Sequence, residues 1–532
     1  MADSTQTERP AGPSRNRRIA DAIRRNRARA TVLAVLLFLL IAAMAGLESD
    51  QWFSTLMQGL SVGALVFLVA SGFQLIFGLM DVLNLAHGEL FMLGAYIGWT
   101  VYTRFDTFVD VLIPVLVVLA PFALLPLWRD LGRRLAGLER GARLAGWGLL
   151  LAGGTLIGVS ITKFPLVIWD AEGFATTPGN MSVQLDLGML TPLPPDSFGW
   201  PMALAFAVLF AGGAVLALGL AALRARPGEQ RPLSPKHAAA AAGLVAGAVV
   251  LHLVKDPLNE WIFGISTTWR FFIAVVVAAA VGAVVGALME VFLIRPLYDR
   301  PIYTLMITLG VGFVLIELAR EVWGRPSFTM ARPAAFNGTG EGCPAEGLGG
   351  FFSGCSTVIV FGSRLRVYNE GFIVLMGILV LIGVSLLLKR TRIGMTIRAG
   401  VQDPEMVEAL GINVRRVFTQ VFALGTGLAA LGGVLAAPSI GLSTEMGALF
   451  LLTAIVALAI GGLTSFPGAA AGALLIGLLQ QIIIRLGQTG IDLPFMDEPF
   501  KPSPTLVPAA SIILMVVILL VLPSGLFGRG NR

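Results

Sequence analysis

Long apolar runs recur along the 532-residue chain, near 31–47, 55–77, 82–102, 107–127, 144–162, 200–223, 238–254, 269–294, 304–323, 371–388, 417–437, 448–463, 467–486 and 505–523. A helix needs roughly 20 apolar residues to cross a bilayer, so each run is a candidate span. The runs are continuous rather than alternating, which excludes the period-two strands of a membrane β-barrel. The pattern predicts an all-α polytopic transmembrane helix bundle of about 12–14 spans, the lower figure applying if one pair of runs is re-entrant.

Composition agrees with this pattern and narrows it. Hydrophobic residues make up 56% of the chain and charged residues 13%, which excludes a soluble domain and a disordered chain. The net charge of +6 points to membrane orientation rather than to nucleic acid. With the N-terminus inside, the cytoplasmic segments carry 27 Lys and Arg against nine on the opposite side. The excess includes a basic arm, residues 1–30, with eight Arg. Both termini are therefore expected in the cytoplasm. The first run reads as a span, with a signal peptide cleaved near Ala43-Met44-Ala45 as the alternative. Segments 163–199 and 324–370 fall outside. The second holds both cysteines, Cys343 and Cys355, which in an oxidising compartment are expected to close a disulfide, two free thiols being the alternative.

Three segments carry candidate chemistry. The cytoplasmic loop 389–416 contains a short helix: Asp403 suits its N-cap, Pro404 its first position, Glu405 its positive end and Gly411 a left-handed C-terminal cap. Met406, Val407 and Leu410 are expected on one apolar face. Such a helix either docks on another protein or rests on the lipid surface or on its own chain. The second segment, Asn84-Leu-Ala-His-Gly-Glu89 after Asp81, interrupts the apolar pattern. Asn84, His87 and Glu89 are candidate translocation-path residues, because ionisable groups within a membrane face cavities or bundle interiors, the alternative being that Asp81–Glu89 lie at the cytoplasmic interface beyond the hydrocarbon. The third, Ile460–Gly477, is a Gly-rich turn between two runs, read as close helix packing. Glu317 and Arg320 are spaced for an intrahelical ion pair, and Glu290 has Arg295 nearby. No catalytic or metal-ligand spacing stands out, and no phosphate-binding loop exists. Any ATP must bind to another chain.

Taken in order, these segments resemble the membrane permeases of branched-chain amino acid ABC importers. The stretch Asn84-Leu-Ala-His-Gly-Glu-Leu-Phe-Met-Leu-Gly94 resembles that family's Asn-Phe-Ala-His-Gly segment, with Leu85 in place of Phe. Ile294-Arg-Pro-Leu297 resembles its Tyr-Arg-Pro-Leu turn. Arg398-Ala399, Gln402-Asp403-Pro404, Ala409 and Leu410-Gly-Ile-Asn413 resemble its coupling loop. Gly461-Gly-Leu-Thr-Ser-Phe-Pro-Gly-Ala469 and Pro523-Ser-Gly-Leu-Phe527 resemble its late turn and its ending.

The resemblance implies a non-enzymatic, multi-pass bacterial inner-membrane subunit that forms half of a translocation pore. Its implied partners are a second homologous permease, two cytoplasmic ATPase subunits that bind ATP-Mg, and a periplasmic solute-binding protein. The implied cargo is branched-chain amino acids or related small polar solutes. Asp403, Pro404, Glu405, Met406, Leu410 and Gly411 would couple the chain to the ATPases. The expected organisation is a basic arm 1–30, first spans 31–102, an inserted region 103–268 with about four extra spans, spans 269–323, an outer loop 324–370, spans 371–527 and a tail 528–532. The alternative is a proton-coupled secondary transporter using Asp81, His87 or Glu89.

Overall fold

The computed structural model describes residues 30–32, 34–38, 41, 49–136, 142–164, 166, 169–170, 181, 183–185, 187–194, 199–223, 234–298, 300–325, 327–402, 404–463, 465–490 and 498–528. The basic arm to residue 29, most of the first apolar run with its Ala43-Met44-Ala45 site, Asp403 and the last four residues lie outside them. Ten helices among the described residues are long and apolar enough to cross a membrane, and two shorter apolar helices accompany them. The chain divides into two compact units, one of Met1–Ala95, Ala278–Ser327 and Ala334–Arg532, the other of Tyr96–Val277 and Phe328–Pro333.

In chain order the helices are α1 (Ser49–Met80), α2 (His87–Thr103), α3 (Phe105–Ala123), α4 (Leu125–Ala136), α5 (Ala142–Ile161), α6 (Met202–Leu223), α7 (Pro235–Gly264) and α8 (Thr267–Met289). They continue with α9 (Pro301–Trp323), α10 (Val374–Arg390), α11 (Arg392–Gln402), α12 (Pro404–Ala409), α13 (Val414–Ile440), α14 (Met446–Gly461), α15 (Phe466–Thr489) and α16 (Leu506–Val521).

The first unit is organised around α1, which packs on α15, α13, α14 and α10. Val66 and Phe67 of α1 join Val456, Ala457 and Ile460 of α14, Ala473 and Ile476 of α15 and Ile518 of α16 in one core cluster. Small residues permit these approaches. A Cβ on Gly461 would lie 1.9 Å from the Gly468 carbonyl oxygen, so the α14–α15 turn tolerates no side chain there. The ending of the chain closes against this turn: the Leu526 and Phe527 amides donate to the carbonyls of Ile460 and Gly461 at 2.9 and 3.0 Å. Two sequence segments 66 residues apart are thus one structural feature.

Residues 334–366 of the first unit form a small cap. Strands β1 (Ala345–Glu346), β2 (Thr357–Val360) and β3 (Ser363–Arg366) make one sheet in that order, β1 parallel to β2 and β2 antiparallel to β3. Val358, Val360, Leu365 and Val367 form its core, against Phe53 and Met57 of α1. Cys343 and Cys355 are joined by a disulfide with their Cα atoms 5.6 Å apart. On α9, Arg320 Nη1 donates to Glu317 at 2.7 Å, an exposed pair of small energetic weight.

In the second unit α3 packs on α6 and α7, and α6 on α4 and α5. One of its helices, α7, outruns the apolar segment that predicts it. The run 238–254 stops before Lys255, yet α7 continues to Gly264 with Lys255 buried. The reason is neutralisation: Lys255 Nζ donates to Asp110 Oδ1 of α3 at 3.1 Å. Arg104 likewise pairs with Asp106, whose carboxylate also accepts from the Leu193 amide at 2.8 Å. Paired in this way, ionised groups persist inside a helical bundle.

Candidate functional site

Two places in the first unit gather polar groups that packing alone does not require. The nearer to the chain's C-terminal half is the loop 389–416, which is not a loop with one helix but two helices and the start of a third. The helix α11 was not anticipated in the sequence. It is amphipathic and sets Ile397 into a core cluster with Leu75, Val384, Val417, Val421 and Leu428, so the segment is anchored to the bundle.

The short helix α12 follows. Asp403, its expected N-cap, lies outside the described residues, and only the backbone is described at Pro404 and Glu405. Its C-terminus is closed by a paired carbonyl cap. The Ile412 amide donates to the Val407 carbonyl at 3.2 Å and the Gly411 amide to the Glu408 carbonyl at 2.9 Å. Gly411 has φ +81°, a conformation that glycine adopts without the steric cost of a Cβ. The apolar residues divide: Val407 is 4% exposed, whereas Met406 and Leu410 are 62% and 70% exposed. Val407 therefore does not share the outward face expected of all three; it fastens the helix inward. A six-residue helix is marginal alone, and its inward fastening and cap leave Met406 and Leu410 presented.

Immediately after α12, Asn413 caps α13 by accepting the Arg416 amide at 3.1 Å. One turn on, α13 meets the end of α8. There the chain makes a π-helical turn, Glu290–Ile294, and a 3₁₀ turn, Arg295–Leu297. The Glu290 carboxylate is fully buried. It accepts from Arg295 Nε at 3.0 Å and Nη2 at 2.7 Å, from the Tyr298 hydroxyl at 2.6 Å and from the Thr419 hydroxyl at 2.7 Å. Burial, and next the Glu290 carboxylate, raise the Tyr298 phenol above its usual range, so it stays a donor. Charge-assisted bonds of this kind are the strong ones. They clamp α8 to the base of α13. The adjacency of Glu290 and Arg295 is visible in the sequence; Thr419, more than 120 residues away, carries no local signal.

The second place is the corner between α1 and α2. Helix α1 ends at Met80, Asp81 takes φ +53°, and α2 begins at His87. The interruption of the apolar pattern after Asp81 is therefore a helix break over 81–86. It separates the polar residues. Asp81 is exposed, while Asn84, His87 and Glu89 are buried. His87 Nε2 donates to the Val69 carbonyl at 3.1 Å, and its ring lies edge-on to Phe73. The other ring nitrogen, both amide atoms of Asn84 and Oε2 of Glu89 are buried without hydrogen-bond partners among the described residues. Helix α9 closes over this stretch: the Leu85 amide donates to Thr308 Oγ1 at 3.2 Å, and Gly312, one turn along, faces the Glu89 carboxylate. Thr308 and Gly312 were not singled out in the sequence, where they are ordinary members of an apolar run.

Known proteins place these features in context. A family model described as branched-chain amino acid transport system / permease component matches residues 55–190 and 236–522. The high-affinity branched-chain amino acid transport system permease protein LivH of Salmonella typhimurium is 26% identical over 273 residues, 50% of this chain and 77% of that protein. BraD of Pseudomonas aeruginosa, a permease protein of the same description, is 31% identical over 163 residues, 30% of this chain and 48% of that protein. The galactose/methyl galactoside import permease protein MglC of Escherichia coli is 27% identical over 271 residues, 51% of this chain and 72% of that protein. No solved structure matches. The matched residues take in both polar sites, the π-helical turn and the α14–α15 turn, and they cover well over half of the chain. The chain is a multi-pass membrane protein of the branched-chain amino acid transport system permease family.

Proposed function

We propose that this chain is the permease subunit of an ATP-binding cassette importer for branched-chain amino acids or related small polar solutes, forming half of the translocation pore with a second, related permease. Two cytoplasmic ATPase subunits bind ATP-Mg and dock on α12. A solute-binding protein delivers cargo from the opposite side. Asn84, His87 and Glu89 line the path. The charge asymmetry supports cytoplasmic termini and a cytoplasmic α11–α12 segment, and the Cys343–Cys355 disulfide supports an oxidising, periplasmic setting for the cap.

The observation that carries the reading is the outward display of Met406 and Leu410 on a capped helix fastened beneath by Val407. Apolar anchors at helical spacing suit a groove on a partner. Movement of the ATPases would reach the bundle along α11 and through Asn413 and the Glu290 clamp. The test is Leu410→Asp, which places a charge in the groove, where desolvation opposes binding. Membrane insertion should be normal, ATPase co-purification should fall and uptake should be lost. Full ATPase association and normal uptake in this variant would reject docking through α12, and uptake driven by a proton gradient without any ATPase would favour proton-coupled transport.

A further inference from the structure

Among the described residues of the first unit three glutamates are buried: Glu89, Glu290 and Glu370. Glu290 meets Arg295, Tyr298 and Thr419, and Glu370 accepts from the Arg366 amide. Glu89 makes no ion pair among the described residues, and its Oε2 is buried without a hydrogen-bond partner. A carboxylate at a helix end within a membrane bundle is costly without a counter-charge, and such groups mark ligand or ion paths.

The surroundings define what would match it. Gly312 of α9 faces the carboxylate: a Cβ there would sit 3.4 Å from the carboxylate carbon and from Oε2. On the other flank, Gly88 is pressed against α14, where a Cβ would lie 2.2 Å from the Gly447 carbonyl oxygen. Helix α2 is thus held closely against α14 at Gly88, and the Glu89 carboxylate it carries faces Gly312 of α9. The other unmatched groups nearby in the chain are both polar atoms of Asn84 and His87 Nδ1. With His87 Nε2 donating to Val69, Nδ1 is an acceptor. His87 turns to α1, whereas Glu89 turns to Gly312 of α9, so the group left to match on the α9 side is the Glu89 carboxylate. A primary ammonium offers three N–H donors and a positive charge. Sugar hydroxyls both donate and accept and leave the carboxylate's charge unopposed.

From this geometry we infer that Glu89 receives the protonated amine of the transported solute, so that the permease itself selects amine-bearing solutes over neutral sugars. The inference deepens the proposed transport function and rests on it. It assigns a residue to a discrimination that the relatives leave open, since they include both an amino acid permease and a galactoside permease.

The test uses the full-length chain purified in lipid nanodiscs with the subunits that accompany it. Four probes are compared: L-leucine, isopentylamine, 4-methylpentanoate and galactose. A hydrophobic carbodiimide reports access to Glu89, read by peptide mass spectrometry, and equilibrium dialysis reports binding. Leucine and isopentylamine should protect Glu89; 4-methylpentanoate and galactose should not. Glu89→Gln should weaken amine binding roughly 10- to 100-fold, as expected for loss of a charge-assisted hydrogen bond. Glu89→Asp, which keeps the charge, should retain most of it and controls for folding. Equal protection by all four probes, absence of protection by the amines, or unchanged amine binding in Glu89→Gln would overturn the inference. ATPase content of the same preparation separates the two claims. Amine selectivity without ATPase leaves Glu89's role standing and removes the importer reading. ATPase without amine selectivity does the reverse.

Discussion

The Thr419 hydroxyl donates to the Glu290 carboxylate at 2.7 Å, joining the first turns of α13 to the end of α8. Because α12 precedes α13 by only a few residues, this bond lies between the exposed apolar residues of α12 and the bundle. Arg295 strengthens the same contact by donating to Thr419 Oγ1 at 2.6 Å. Thr419→Val should cost about 1 kcal/mol, the net worth of one such bond. Glu290→Ala should cost about 3 kcal/mol, because it strips the carboxylate from Arg295 and Tyr298. Thermal unfolding in detergent measures both. If α8 receives the ATPase movement through this clamp, Thr419→Val should also lower solute uptake per ATP hydrolysed, with assembly unchanged.

The cap of α12 offers a clean backbone test. A Cβ at Gly411 would meet nothing within 4 Å, so any penalty there comes from its positive φ and not from a clash. Gly411→Val should cost about 1–2 kcal/mol locally and disorder the helix end. Gly411→Asn should be tolerated, since Asn enters the left-handed region more readily. ATPase co-purification should follow the same order: glycine, then asparagine, with valine lowest.

The disulfide closes a loop of sequence separation 12. In the chain-entropy view a loop of this size is worth about 3 kcal/mol to the cap. Cys343→Ser should therefore increase proteolysis within 324–370 in intact cells, while the membrane helices stay folded. In the wild type, membrane-impermeant maleimide should label neither cysteine until a reductant is added. Labelling without reductant would show free thiols.

Lys255 and Asp110 can be tested as a pair. Lys255→Met leaves a buried carboxylate without its cation and should cost about 3 kcal/mol. Adding Asp110→Leu removes that carboxylate and should restore most of the stability. The yield of folded protein in size-exclusion chromatography reads the difference, and an unrescued double variant would show that the pair does more than neutralise itself.

Much of this architecture is legible one segment at a time. The apolar runs predict helices because backbone groups in lipid must bond within their own segment. The positions of α1, α6, α13 and α15 follow from that rule. Gly411 was legible for the same local reason: a left-handed cap needs a glycine where the helix stops. The break before His87 could be read from its polar residues alone.

What the sequence could not decide depends on partners distant in the chain. Lys255 looks like the end of a span until Asp110, 145 residues earlier, neutralises it within α7. Helix α11 has no clear end signals and is helical because Ile397 enters a core built by α1, α10 and α13. Met406, Val407 and Leu410 look alike as a spaced apolar set, and only packing turned Val407 inward. In the sequence Glu290 has Arg295 nearby and Glu89 has Asn84 and His87, and neither spacing tells which carboxylate ends up paired. The fold gave Glu290 an arginine, a tyrosine and a threonine and left Glu89 facing a glycine. A carboxylate's role in a membrane is set by the charge brought opposite it, and that is determined only when the helices pack.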